Sequence, residues 1–201
     1  TRDLNPFIIR LSKRPAKQLL WFILDRDMKN SAGFESGVDI ACGDMFFYNY
    51  FRTNKYIAVD ADAERLKKAQ AKLKEEIVSK EQFIEDMNPE EIHGDFVTCI
   101  QTIGINNDFK TDHTVLAVEK LCGVTNKGGT LIFNIGGGSM QDAEEIEKVL
   151  NKNFRKVKRI GYGKFEKETS NILSLLLAYG MFKLPFLRGK GFNYYYCEDK
   201  I

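Results

Sequence analysis

The stretch from Val38 to Asp60 limits the possible folds of this chain more than any other. Val38-Asp39-Ile40-Ala41-Cys42-Gly43-Asp44 reads as a short apolar strand running into a turn of small residues. After an expected helix, Tyr56-Ile57-Ala58-Val59 reads as a second apolar strand that ends on Asp60. Small residues in such a turn let backbone N–H groups come close to a ligand, because little side chain keeps it away. An acid at the tip of the next strand is placed to accept hydrogen bonds from two ribose hydroxyls. The pattern describes a nucleoside-cofactor site at the carboxyl ends of parallel strands.

Downstream, apolar strands alternate with helical periodicity. Asp62 to about Lys80 predicts a helix with Leu66, Ala69, Leu73 and Ile77 on one face. Thr111–Leu121 predicts another, with Val115, Val118 and Cys122 facing inward. Ser139 and Asp142 form a capping-box-like start for a third helix through Leu150. Strands separated by such helices make βαβ units and a mainly parallel sheet covered on both faces.

The ligand is read from the turn. A dinucleotide site favours G-x-G-x-x-G, whereas this turn has one glycine and adds Asp44, which suits a cationic or zwitterionic ligand better than a pyrophosphate. VDIACGDM resembles the first motif of class I S-adenosylmethionine-dependent methyltransferases, hhD-h-G-x-G-x-G, with Ala41 and Met45 at two of the glycine positions. Further segments are similar to that family in the same order over roughly residues 34–160. Asp60, followed by Ala61, matches the ribose-binding acid. Phe83-Ile84-Glu85-Asp86-Met87 resembles the third strand, with Asp86 as the acid reaching the adenine amino group and the Met87 backbone N–H as an adenine contact. Gly94–Gln101 resembles the fourth strand, with Ile100 and Gln101 lining the cofactor. Gly128–Ile135 resembles the glycine turn and fifth strand.

The resemblance implies a Rossmann-like α/β three-layer sandwich with a mostly parallel seven-stranded sheet and an antiparallel last strand. It also implies S-adenosylmethionine as cofactor, S-adenosylhomocysteine as product, and a cofactor site of Asp39, Ala41, Cys42, Gly43, Asp60, Ala61, Asp86, Met87, Ile100 and Gln101.

Two regions lie outside that core. In the first 30 residues, Ala16, Leu19, Leu20, Ile23, Leu24 and Met28 form an apolar stripe on a helix starting near Ser12, with Arg10, Lys13, Arg14 and Lys17 at its front. It reads either as a cover for one sheet face or as a lid whose basic end meets a phosphate or an anionic membrane. Near the end, Val157–Ile160 and Tyr194–Cys197 read as the last two strands, yet 33 residues separate them. Twelve of the sixteen residues from Ile172 to Leu187 are apolar, more than one face of a surface helix needs. The run is too short to span a bilayer. Three readings stay open: an extra core helix, a homodimer interface, or a contact with a membrane surface or apolar substrate in which Lys183, Arg188 and Lys190 sit at headgroup level. The insertion, with the preceding Tyr162-Gly163, is also similar to bacterial methyltransferases of surface-polysaccharide and lipid-carrier pathways.

The chain of 201 residues divides into an N-terminal extension (1–32), a cofactor-binding core (33–160), the insertion (161–192) and the last strand (193–201), all within one domain. Its formal charge of +2 gives no field argument for nucleic acid. Cys42, Cys99, Cys122 and Cys197 show no C-x-x-C spacing and fit reduced thiols in the cytoplasm, with peripheral membrane contact as the variant. The visible start shows no signal peptide and begins at Thr1, which reads as a few native residues missing or processed.

Methyl transfer to oxygen or nitrogen needs a proton removed, commonly by His, Asp or Glu. His93 falls at the wrong end of the fourth strand; His113, at a helix start on the active-site side, and Asp108 are the base candidates. The Glu-His pair of many relatives is absent around Gln101-Thr102-Ile103-Gly104, and no Asn-Pro-Pro-Tyr follows the fourth strand, which argues against amino-methylating DNA enzymes. Asp86, Asp95, Asp108 and Asp112 form no spaced metal-ligand set. The expected function is methyl transfer to a small or lipid-linked acceptor, first O-methylation of a sugar or glycan precursor. The alternatives are a cofactor-binding scaffold without activity and, disfavoured by the missing glycines, an NAD-dependent enzyme.

Overall fold

The computed structural model describes residues 12–73, 77–104, 112–136, 140–163, 167–189 and 192–201, without the side chains of 112–113 and 140–142. Seven strands form one sheet in the order β3-β2-β1-β4-β5-β7-β6. They are β1 (Ser36–Ile40), β2 (Lys55–Asp60), β3 (Val78–Glu81), β4 (Gly94–Cys99), β5 (Thr125–Gly136), β6 (Phe154–Tyr162) and β7 (Phe192–Lys200). The strands β1 to β5 pair in parallel, and β7 runs antiparallel between β5 and β6. This is the expected Rossmann-like sandwich with an antiparallel last strand.

The α-helices among the described residues are α1 (Pro15–Met28), α2 (Ala63–Leu73), α3 (Asp112–Val124), α4 (Met140–Asn153) and α5 (Asn171–Lys183). They cover both faces of the sheet because β1, β4 and β5 are apolar on both. On one side Leu19, Leu20 and Ile23 of α1 pack with Leu66 and Ala69 of α2, Ala178 and Met181 of α5, and Phe96 and Tyr194 of the sheet. On the other, Val118 and Leu121 of α3 and Ile146 and Leu150 of α4 meet Val38, Ile40, Val97 and Phe133. All six apolar residues read as the stripe of α1 are buried. Each fully buried Leu or Ile there contributes about 1.5–3 kcal/mol of transfer free energy. The helix begins at Pro15, whose fixed φ and missing N–H suit a first turn, slightly later than the expected start near Ser12.

Three expectations need correction. Between β1 and β2 there is no α-helix, only a single 3₁₀ turn over Tyr48–Tyr50. The aromatic run supports little helix by itself. It is held instead by ring contacts: Trp21 lies 5.3 Å from Phe46 and 5.7 Å from Phe47, and Phe51 lies 4.9 Å from Tyr56. The third strand is Val78–Glu81, not Phe83–Met87, and Ile84–Asp86 is a 3₁₀ turn. As an edge strand β3 pairs only with β2, so polar Ser79 and Lys80 are tolerated. Ile84 and Met87 are apolar because they plug the core from that turn. The helix expected to run to about Lys80 does not reach it: α2 is Ala63–Leu73, and Val78–Glu81 is strand β3. Ile77 is nonetheless buried in the cluster that holds Leu66 and Ala69, on the opposite face from Ile84 and Met87.

The last fifty residues follow the expected strands, both longer than the apolar runs suggested. Between them α5 lies along α1: Phe22 is 6.5 Å from Tyr179 and 5.9 Å from Phe182. Its start is tied to the residues before α1, where Thr169 N–H donates to the Lys13 carbonyl at 2.8 Å and Ser174 Oγ donates to the Ser12 carbonyl at 2.5 Å.

Candidate functional site

The turn after β1 is tied directly to the tip of β2. The Gly43 N–H donates to Asp60 Oδ2 at 2.7 Å, and the Cys42 N–H donates to the Val59 carbonyl at 3.0 Å. Asp60 Oδ1 accepts the Asp62 N–H at 3.0 Å. Each oxygen of Asp60 thus takes one backbone donor, and a carboxylate with about four lone-pair sites keeps capacity for more. Asp62 in turn caps α2, accepting the Arg65 N–H at 2.9 Å. Ala61 is exposed beside Asp60.

The backbone of the turn is left-handed at every second residue: φ is 53° at Ala41, 54° at Gly43 and 53° at Met45. Glycine occupies that region without penalty, whereas an L side chain costs roughly 1–2 kcal/mol. Ala41 and Met45 therefore keep the geometry of a three-glycine turn. Such strain gathers where function needs the conformation. Met45 also closes the turn, with its N–H on the Cys42 carbonyl at 2.9 Å. A Cβ on Gly43 would meet the Arg65 guanidinium carbon at 2.8 Å, because Arg65 lies over the turn and pairs with Asp44 at 3.2 Å. The expectation of an extra negative charge at the turn is modified accordingly: Asp44 carries a cation beside it, and the turn presents both signs.

Asp39 lies beneath the turn, fully buried, and joins three strands. Its Oδ1 accepts from Thr98 Oγ1 of β4 and its Oδ2 from Tyr56 Oη of β2, both at 2.8 Å. Burial pushes its carboxyl up to about 6, against the opposing pull of the Thr98 and Tyr56 hydrogen bonds. Burial also pushes the Cys42 and Cys99 thiols up, so neither is a nucleophile at neutral pH. All four cysteines are unpaired.

Asp86 is exposed on the 3₁₀ turn after β3, while Met87 is buried. The Met87 N–H, expected to face adenine, donates to the Ile84 carbonyl at 3.3 Å, and the Met87 carbonyl accepts from Lys120 Nζ at 3.1 Å.

At the end of β4, Ile100 is buried and Gln101 adopts a φ of 61°. The Gln101 N–H donates to Asn134 Oδ1 at 2.7 Å, and Asn134 Nδ2 donates to Tyr162 Oη at 2.8 Å. Tyr162 stacks on Phe192 at 5.4 Å. Buried Asn134 thereby links the ends of β4, β5 and β6. Sequence reasoning passed over Asn134; a lone polar residue in the apolar run Leu131–Ile135 was the available signal.

Asp108 lies outside the described residues, as do Ser139 and Lys190. His113 belongs to the first turn of α3, but its side chain is likewise outside them. His93 is exposed ahead of β4, as expected. A separate polar cleft of about 830 Å³ between α1, α4, β6 and β7 includes Arg26, Asn30, Lys158 and Glu198 in its lining; it contains no residue of the turn or of Asp60.

No protein-family model matches the chain, and no curated protein matches it by sequence. Solved structures do match by fold. N-methyltransferase NodS from Bradyrhizobium japonicum WM9, in complex with S-adenosyl-L-homocysteine, superposes with a TM-score of 0.64 at 13% identity, over 94% of this chain and 90% of that one. A SAM-dependent methyltransferase from Archaeoglobus fulgidus gives 0.58 at 13% identity, over 94% and 96%. An S-adenosylmethionine-dependent methyltransferase from Clostridium acetobutylicum gives 0.52 at 17% identity, over 88% and 89%. The chain has the fold of class I S-adenosylmethionine-dependent methyltransferases.

Proposed function

We propose that this protein binds S-adenosylmethionine and transfers its methyl group to a small or lipid-linked acceptor, with a sugar hydroxyl, O-methylated in the reaction, first among the candidates. The observation that carries the reading is the turn from Ala41 to Met45. It keeps three left-handed positions, two without glycine, and anchors them on the acid at the tip of β2. A bare backbone turn beside a carboxylate fits an adenosine with an amino-acid tail.

In this reading Asp60 accepts from the ribose hydroxyls and Ala61 flanks them. Asp86 and the segment at Met87 face the adenine. Asp39, Ala41, Cys42 and Gly43 hold the amino-acid half, and the buried carboxylate beneath the turn favours its cationic groups. Ile100 and Gln101 border the reactive end. When bound, the cofactor supplies an electrophilic methyl group on a sulfonium. The chain's own contribution is to fix that group against the acceptor and keep the two in line, which can carry much of the rate. Asp108 and His113 are the proposed bases. The cytoplasm, where the four thiols stay reduced, is the proposed setting.

Formation of S-adenosylhomocysteine tests the activity. The protein is incubated with S-adenosylmethionine and pools of nucleotide-linked sugars or lipid-linked saccharides. Product above the level without acceptor supports an enzyme. Binding without product in any pool supports the scaffold alternative.

A further inference from the structure

The solvent face of α5 is apolar where a surface helix is ordinarily polar. Ser174, Ala178 and Met181 are buried, one helical turn after another, on the face toward α1. The opposite stripe is Ile172 (74% exposed), Leu176 (63%) and Tyr179 (55%), flanked by exposed Leu173. Just beyond the helix, Phe186 is 78% exposed and Leu184 is also exposed. Contiguous apolar patches of this kind are rare on soluble monomers and mark interaction surfaces.

The charge around the stripe identifies its partner. From Thr169 to Cys197 the sequence contains no Asp or Glu, while Lys183, Arg188 and Lys190 fall within it. Lys183 ends the exposed stripe, with its ammonium 5.6 Å from the Tyr179 ring. At the other end, exposed Lys167 precedes the helix beside exposed Glu168, which pairs with Arg14 at 3.7 Å, and exposed Lys13 is brought alongside by the bond from Thr169 N–H to its carbonyl. Arg188 is engaged differently from the sequence expectation. Its guanidinium donates to the Met181 and Phe182 carbonyls at 2.9 Å and closes the end of α5. An apolar stripe with no acid from Thr169 to Cys197, Lys183 at one end, and Lys13 and Lys167 at the other, where Glu168 is matched by Arg14, complements an anionic surface. A two-fold pairing of this face with a second copy would bring Lys183 and its neighbours together, with no carboxylate between Thr169 and Cys197 to offset them. Among the described residues no helix is long and apolar enough to cross a membrane, so α5 would lie in the interface rather than span it.

We propose that α5 docks the protein on anionic phospholipid membranes. Ile172, Leu176, Tyr179 and Phe186 enter the boundary between headgroups and acyl chains, and Lys13, Lys167 and Lys183 meet the lipid phosphates. This goes beyond methyl transfer and stands on α5 and the residues beside its two ends, independently of the cofactor site.

Co-sedimentation with vesicles tests it, using phosphatidylcholine alone and phosphatidylcholine mixed with phosphatidylglycerol. The expected result is binding to the mixed vesicles only, weakening as the Debye length falls from about 10 Å at 0.1 M salt to about 3 Å at 1 M. The double variant Ile172→Gln, Leu176→Gln lowers the partition coefficient by about tenfold or more, and Lys183→Glu lowers it as well. Both variants change exposed positions, and unchanged circular dichroism and S-adenosylhomocysteine affinity confirm that they fold. No binding to the mixed vesicles overturns the proposal, as does equal binding by the double variant. A dimer in sedimentation equilibrium that the double variant splits, without vesicle binding, assigns the face to a second copy instead. A chain that sediments with vesicles but binds no S-adenosylhomocysteine retains the docking surface and loses the proposed activity.

Discussion

Asp39 accepts a hydrogen bond from Tyr56 at 2.8 Å, across neighbouring parallel strands and within the buried centre of the sheet. Together with the bond from Thr98, this leaves a carboxyl inside the fold directly under the turn that is proposed to hold the cofactor.

Its titration has a definite sign. Asp39 rises to about 6 in the fold against an ordinary value of 3.8. A raised carboxyl contributes stability that is fully present below the unfolded value and is lost as pH climbs through the folded one. Between about pH 4 and pH 7 the loss is of order 3 kcal/mol. Asp39→Asn removes this dependence. Urea melts of both proteins across that range are expected to converge at low pH and to show the Asn variant more stable near neutrality. The same variant is expected to bind S-adenosylhomocysteine about tenfold more weakly, as the charge under its ammonium is gone.

Ala41 sits at a φ of 53° in the turn. Replacing it with Gly relieves the left-handed penalty but adds freedom to the unfolded chain, for a net gain of about 0.5–1 kcal/mol. Thermal unfolding of Ala41→Gly is expected about 1–4 °C higher. A lower melting temperature would show that this position is not strained.

Asn134 bridges the Gln101 backbone and the Tyr162 hydroxyl. Asn134→Ala removes the acceptor of the Gln101 N–H and one hydrogen bond of the buried Tyr162 hydroxyl, and is expected to cost about 2–4 kcal/mol in denaturant unfolding. Tyr162→Phe removes one hydroxyl and is expected to cost about 1 kcal/mol. Equal costs would mean that the Gln101 contact contributes nothing.

The central strands and their order were legible because β1, β2, β4 and β5 are apolar runs bounded by turn residues. The turn and Asp60 were legible because small residues and an acid occupy chemically demanding positions. The edge strand β3 was not, since a strand with one partner needs little hydrophobicity, and the apolar Ile84 and Met87 drew the assignment to the following 3₁₀ turn. The helix expected after Asp44 failed for a tertiary reason: Trp21 comes from a separate helix to pack on Phe46 and Phe47. The occupation of the Met87 N–H and the pairing of Asp44 with Arg65 both depend on side-chain and backbone geometry that spacing does not encode. For α5, composition showed an excess of apolar residues, but only its contact with α1 shows which of them remain exposed.

The most direct test of the proposed cofactor site is calorimetric titration of S-adenosylhomocysteine into the unmutated protein and Asp60→Ala, with NAD as comparator. The expected result is binding of S-adenosylhomocysteine in preference to NAD and an affinity lower by about ten- to a hundred-fold in the variant, equivalent to roughly 1.5–3 kcal/mol for a lost charge-assisted acceptor. Tighter binding of NAD, or an affinity unaltered by Asp60→Ala, would contradict it.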